Sequence, residues 1–319
     1  MRSLITRARI HIPCLASLVI LAAMANCRSS AETNKEKATH AGKISPPQVY
    51  VVNYPLQYFA ARMAGDAAEV VFPPPPDEDP AFWKPDVATI AAFQQADLIL
   101  RNGASYARWA DYATLPASKV VDTSSGFRDR YIAMEDAVQH AHGPNGEHAP
   151  AGTAFTTWLD PTLAARQVEA IRVCLVTLLP EKTAELNRNC ENLISDLHAL
   201  DARLQRIVKG HHERPLLTSA PVYQYFARRY QLNLKSMHWD PDEPPSDSQW
   251  SELDGLLEVH PAKWMIWEAP PQGETEEGLH RRGVSCIVFY PCGNSPPDGD
   301  YLQTMKDNIE RLQAAFAAP

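Results

Sequence analysis

Residues 158–208 read WLDPTLAARQVEAIRVCLVTLLPEKTAELNRNCENLISDLHALDARLQRIV. Pro161 suits the first turn of a helix, where its missing N–H costs nothing and its fixed φ is already helical. Pro180-Glu181 interrupts the pattern and can open a second helix in the same way. From there Leu186, Cys190, Leu193, Ile194, Leu197, Leu200, Leu204 and Ile207 recur at three- and four-residue steps as one apolar stripe. At 1.5 Å per residue, a helix of about 25 residues spans roughly 40 Å. It can connect two globular halves as a stiff strut.

Two sets of short apolar runs flank this region. The first is Val49–Val52, Glu69–Phe72, Leu98–Leu100 and Val120–Asp122; the second is Leu216–Thr218, Leu232–Leu234, Trp264–Trp267 and Ser285–Phe289. They lack strict polar alternation, as parallel strands covered on both faces do. Amphipathic segments such as Tyr54–Gly65 and Asp86–Asp97 separate several of them. Pro73–Pro76 reads as a short polyproline strand exit. The expected fold is α/β: two similar α/β domains with mostly parallel sheets, joined by one long backbone helix, with a cleft between them. The expected boundaries are an N-terminal domain over 47–160, connecting helices over 161–210 and a C-terminal domain over 211–319.

The first residues concern delivery. Arg2, Arg7 and Arg9 precede an apolar run from Leu15 to Ala25, which reads as a signal peptide over 1–26. Cleavage after Ala25 competes with lipidation at Cys27, and a polar tether follows over 27–46. Either route exports the chain, as a periplasmic protein or a membrane-anchored lipoprotein. Losing three arginines takes the net charge from −8 to about −11. With no basic run, nucleic acid is excluded as a partner. Of the six cysteines, Cys286 and Cys292 flank Tyr290-Pro291 closely enough to suggest a local bridge. No C-x-x-C pair is present to support a thiolate zinc site.

A Gly/Pro-broken loop over 138–150 carries His140, His142 and His148, a weak candidate for metal capture, just ahead of Trp158-Leu159-Asp160-Pro161. At this point the chain resembles the cluster A-I metal-binding proteins, the substrate-binding components of zinc and manganese ABC importers. The resemblance covers about residues 47–316. It rests on Val51-Val52-Asn53-Tyr54-Pro55-Leu56, Asp79-Pro80 with Trp83-Lys84-Pro85, and Ala96-Asp97-Leu98-Ile99 with Asn102-Gly103 and Trp109. Trp158-Leu159-Asp160-Pro161, Leu179-Pro180-Glu181 with Asn189, Leu197 and Leu200-Asp201, the segment Tyr225 to Tyr230, and Glu268 follow in order.

The resemblance implies an ion held in the cleft by neutral imidazoles and a carboxylate, a donor set suited to zinc. The four aligned positions here are Ala81, Thr156, Ala220 and Tyr290. Alanine has no donor atom, and threonine and neutral tyrosine are poor zinc ligands. The expected cleft metal site is therefore degenerate. Asp79, Trp83, Tyr223, His238 and Glu268 are possible substitute contacts, with Asp79, His238 and Glu268 as an alternative ligand set. Equally, His238 can pack on Trp239, and Glu268 can pair with a helix N-terminus or an arginine. The aromatic lining of Trp83, Tyr223 and Tyr290 suits a planar organic ligand or a closed, packed interface.

Enzyme signatures are lacking, with no G-x-S-x-G, H-E-x-x-H, P-loop or G-x-G-x-x-G. The sequence therefore reads as a monomeric exported solute-binding protein that would serve an ABC permease. Zinc or manganese would be its ligand if the family function is retained. The alternative is a divergent binding lipoprotein for a small organic ligand or a membrane partner, without metal.

Overall fold

Strand β1 (Gln48–Val51) alternates half-buried and buried side chains and ends two residues before Asn53. The Asn53 side chain accepts the Leu56 N–H at 3.2 Å and so starts helix α1 (Tyr54–Ala64) on the strand's carboxyl end. The computed structural model describes residues 45–134 and 152–317. The candidate lipidation site Cys27 and the loop histidines His140, His142 and His148 lie outside the described residues.

The chain continues through β2 (Glu69–Val71), α2 (Val87–Gln95), β3 (Leu98–Arg101), the short α3 (Trp109–Tyr112) and β4 (Val120–Asp122). These strands form a parallel sheet in the order β2-β1-β3-β4. Two helices follow, α4 (Pro161–Leu178) and α5 (Thr183–Val208). Asp160 caps α4 by accepting the Thr162 N–H at 2.9 Å. Then come β5 (Pro215–Thr218), α6 (Gln224–Tyr230), β6 (Asn233–Ser236), α7 (Asp247–Val259), β7 (Trp264–Trp267), α8 (Gly273–Arg281), β8 (Ser285–Val288) and α9 (Tyr301–Ala317). The second sheet is also parallel, in the order β6-β5-β7-β8. The two-sheet α/β architecture expected from the sequence is the one observed.

Leu186, Cys190, Leu193, Leu197, Leu200 and Leu204 of α5 are buried, with Ile194 and Ile207 packed against the same cluster. That cluster takes in Leu56 and Phe59 of α1, Val168 of α4 and Leu312 and Phe316 of α9. A separate cluster lies under α7 and α8, built from Leu217, Met237, Trp239, Leu253, Met265, Trp267 and Leu279. The bridge suggested by the spacing of Cys286 and Cys292 is not formed, and both thiols are free. The reason is facial: Cys286 packs on the α7/α8 cluster, whereas Cys292 belongs to the α5 cluster.

One buried amide links helix to sheet. Gln167 of α4 is fully buried and donates through Nε2 to Thr123 Oγ1 (2.9 Å) and Asn102 Oδ1 (3.2 Å), while Thr157 Oγ1 donates to its Oε1 (3.3 Å). Asn53 Nδ2 also donates to Asn102 Oδ1 (3.2 Å), and Asn102 Nδ2 donates to the Phe155 carbonyl (2.9 Å). The carboxyl ends of β1, β3 and β4 are thereby tied to the 155–157 segment. Gly103, next to Asn102, has φ +75°, and a Cβ there would sit 2.0 Å from Ser124 Oγ and 2.2 Å from Asp122 Oδ1. Only glycine fits that corner. Replacing Gln167 with leucine keeps the volume but strands several buried partners. Urea denaturation of Gln167→Leu is expected to show a loss of about 2–3 kcal/mol.

Candidate functional site

Open α/β sheets present ligand sites at the carboxyl ends of their strands. From the first sheet these ends lead into Asn53-Tyr54, the 73–85 loop and Asn102; from the second they lead into 219–223, Glu268 and 289–295. Ala81, Ala220 and Tyr290 fall among these segments, and Thr156 lies in the 155–157 segment tied to Asn102. Ala81 is buried, and its N–H donates to Asp79 Oδ1 at 2.9 Å. Thr156 is buried, and its hydroxyl donates to the Val222 carbonyl at 2.5 Å. Ala220 is fully buried two residues before that carbonyl. Tyr290 is anchored through its backbone, donating to Asn308 Oδ1 (3.0 Å) and accepting from Asn308 Nδ2 (2.8 Å). Its ring lies beneath the Arg311 guanidinium, in a surface groove with Trp264, Val288 and Ala314.

The substitute candidates lie on several segments of the chain. Trp83 packs edge-on to Trp109 with ring centres 6.2 Å apart. Glu268 follows β7, where its charge acts on Tyr223. The His238 carbonyl accepts from Gln249 Nε2 at 3.1 Å. Among the described residues, no group of three or more His, Cys, Asp or Glu is placed to hold a metal ion, so Asp79, His238 and Glu268 do not form one.

The segments are instead sewn together by hydrogen bonds. A strap between β8 and α9 reaches back to the first half of the chain. Trp158 Nε1 donates to the Pro291 carbonyl (2.7 Å), and the Tyr54 N–H donates to the Gly293 carbonyl (3.0 Å). Asn294 Nδ2 donates to the carbonyls of Pro75 (2.7 Å) and Glu78 (2.8 Å). Tyr301 then donates its hydroxyl to the Trp158 carbonyl (3.1 Å). Aromatic rings fill the space beside the strap: Tyr106 meets Phe155 at 5.2 Å and Trp158 at 5.6 Å, and Tyr223 meets Phe289 at 5.8 Å, all edge-to-face. At one rim Arg228 donates to the Arg130 carbonyl (2.6 Å). Arg229 forks onto Asp201 at 2.8 and 2.6 Å, and the Tyr230 hydroxyl donates to the same carboxylate at 3.0 Å.

The sequence did not single out Asn294 or the strap. The available signal was the turn-forming pair Gly293-Asn294 in the connection between β8 and α9. Tyr223 donates to the Phe289 carbonyl at 2.6 Å, a buried bond that its candidate role as a ligand contact did not anticipate. Burial pushes the phenols of Tyr106, Tyr223 and Tyr301 well up, with the charges of Asp79 and Glu268 adding at the first two. Burial likewise raises the Cys292 thiol to about 12, with the Thr304 hydroxyl opposing. The assembled surface is one of phenols, indole and backbone amides, suited to packing and hydrogen bonding and poor in metal donors.

Two parallel sheets at either end of a long helical connection define the class of two-lobed solute-binding proteins. The chain belongs to the family of ZnuA, the periplasmic zinc-uptake complex component A, whose model matches residues 49–315. It is 24% identical over 280 residues to the high-affinity zinc uptake system protein ZnuA of Bacillus subtilis (strain 168), covering 82% of this chain and 84% of that protein. It is also 24% identical over 272 residues to the zinc-binding lipoprotein AdcA of Streptococcus pneumoniae serotype 4, of which it spans 54%. Among solved structures, the metal-dependent lipoprotein YcdH from Bacillus subtilis superposes with a TM-score of 0.73 at 21% identity, over 85% of this chain and 100% of that one. The Zn(II)-bound ZnuA-like domain of Streptococcus pneumoniae AdcA gives 0.71 at 20% identity, over 86% and 100%.

The buried thiol has a consequence for pH. Between its ordinary value of 9.0 and the native value of about 12, Cys292 ionises only in the unfolded chain. The native state then holds the extra proton, so stability falls as pH rises through that window. Melting temperatures measured from pH 8 to 11 are expected to decline from about pH 9 upward, and Cys292→Ser is expected to flatten part of that decline.

Proposed function

We propose that this chain is an exported solute-binding protein of the ABC-importer lineage whose cleft no longer holds a metal ion. In this reading the lobes are fastened by hydrogen bonds where an ion would otherwise join them. The observation that carries it is Thr156. At a position aligned with a metal ligand, its hydroxyl crosses to the Val222 carbonyl at 2.5 Å, beside Ala220 at a second such position. Ala81 offers no donor atom, and the Tyr290 ring sits against Arg311. Structural zinc sites contribute about 10–16 kcal/mol through their full ligand set, which methyl groups cannot supply.

The zinc in the names of the relatives is accordingly not carried to this cleft. Any metal capture falls to His140, His142 and His148 of the 138–150 loop. The lobes divide near residues 160 and 211, with the chain acting as a monomer beside a membrane permease. It is periplasmic or anchored through Cys27, and it binds rather than catalyses.

Calorimetry and melting on chelator-stripped protein from residue 30 onward test this reading. A ligand at a hundredfold excess over its Kd adds about 2.7 kcal/mol of stability, which a melting curve resolves. With residues 138–150 deleted, zinc and manganese are expected to leave the melting temperature unchanged. Submicromolar binding that survives the deletion would place an ion in the cleft and overturn the reading.

A further inference from the structure

The C-terminal lobe contains a second polar cluster, next in sequence to the 219–223 segment and Glu268 and built around residues of the α7/α8 core. Ser219 Oγ, Trp239 Nε1, Trp267 Nε1 and Thr275 Oγ1 are buried without a hydrogen-bond partner, in residues at most 2% exposed. Their placement is not scattered. Ser219 follows β5, Trp239 follows β6 and Trp267 ends β7, which are adjacent in the order β6-β5-β7. The Ser219 N–H donates to the Ile266 carbonyl, and its own carbonyl accepts from the Trp239 N–H, both at 2.8 Å.

Strand alternation puts the Ser219 side chain on the face of Leu217. Leu217, Met237, Trp239, Met265 and Trp267 share one cluster on that face, and the two indoles lie 6.1 Å apart, centre to centre. Helix α8 contributes Leu279 to the same cluster, and Thr275 is one turn earlier on the same side of that helix. Gln272, at the N-cap of α8, supplies no side-chain cap. Trp267 also neighbours the Cys286 thiol, a weak acceptor.

An indole N–H can only donate, whereas each hydroxyl can accept. Sealed without partners, four such groups would forfeit a large share of a typical fold's stability. We propose that they line a closed hydration site at the carboxyl ends of β5, β6 and β7. It takes a neutral, water-sized ligand, on the order of one or two waters. The occupant accepts from both indoles and donates to both hydroxyls. Glu274 and Glu276 in the first turn of α8 disfavour an anion there.

The sign of a stability change tests this. Thr275→Val keeps the shape and removes the hydroxyl. If a bound water uses that hydroxyl, the melting temperature falls by about 2–4 °C; a rise means the hydroxyl was dry and overturns the site. A second measurement needs no stable variant. In 15N-indole-labelled protein, long-lived water cross-peaks are expected at the ring N–H of both Trp239 and Trp267. Their absence at either indole overturns the proposal. Chloride and formate titrations are expected to leave both indole signals unmoved; a saturable shift would replace the neutral occupant with an anion and overturn the assignment.

Discussion

The carboxamide of Gln167 is the constraint from which the interlobe geometry follows. It sits fully buried near the start of α4 and reaches Thr123, Asn102 and Thr157, while Asn102 in turn holds Asn53 and the Phe155 carbonyl. Each group is out of water, so each must keep its partner. Satisfying all of them fixes the carboxyl ends of β1, β3 and β4 relative to the backbone helices and sets the 155–158 segment in one position. Thr156 and Trp158 lie in that segment. Their bonds to Val222 and Pro291 are therefore made from a rigid platform, which lowers the entropy cost of each contact.

Much of the architecture was legible because parallel buried strands leave continuous apolar runs. The runs at Val49, Leu98, Leu216 and Trp264 became central strands, and the α5 stripe from Leu186 to Leu204 became the shared core. That Ala81 and Ala220 carry no side-chain donor atom follows from residue type alone and needs no structure to interpret. What could not be read were contacts to backbone. Thr156 donates to a carbonyl 66 residues away, and Asn294 bridges two carbonyls more than 200 residues away. Every residue carries a carbonyl, so such acceptors leave no mark in sequence. The facing of Cys286 and Cys292 was invisible for a related reason: six residues of separation do not say that a strand has ended and the chain has turned between them.

Hydrogen bonds and metal bonds fasten lobes differently. An ion gathers several side chains at one point and leaves when those side chains are protonated or a chelator competes for it. The strap distributes its contacts over Tyr54, Pro75, Glu78 and Trp158, with no exchangeable component. Edge-to-face rings around Tyr106 and Phe289 exclude water from the same region, which strengthens these bonds relative to exposed ones. The Arg229 fork onto Asp201 adds a fastening between α6 and α5 on the flank.

The position of the strap along the chain bears on the order of assembly. Each sheet is built from consecutive segments, so its pairings require only modest loop closure. The strap and α9 occupy about the last tenth of the sequence, yet they pack on α1, α5 and the residues around Trp158. A chain that emerges from its N-terminus can complete the first sheet and the helical pair while this end is still being made. The strap's share of the joining waits for the final helix, whereas Thr156 and Arg228 bond across without it. Truncation near the C-terminus would therefore remove part of the shared core and part of the fastening together, rather than fray one end.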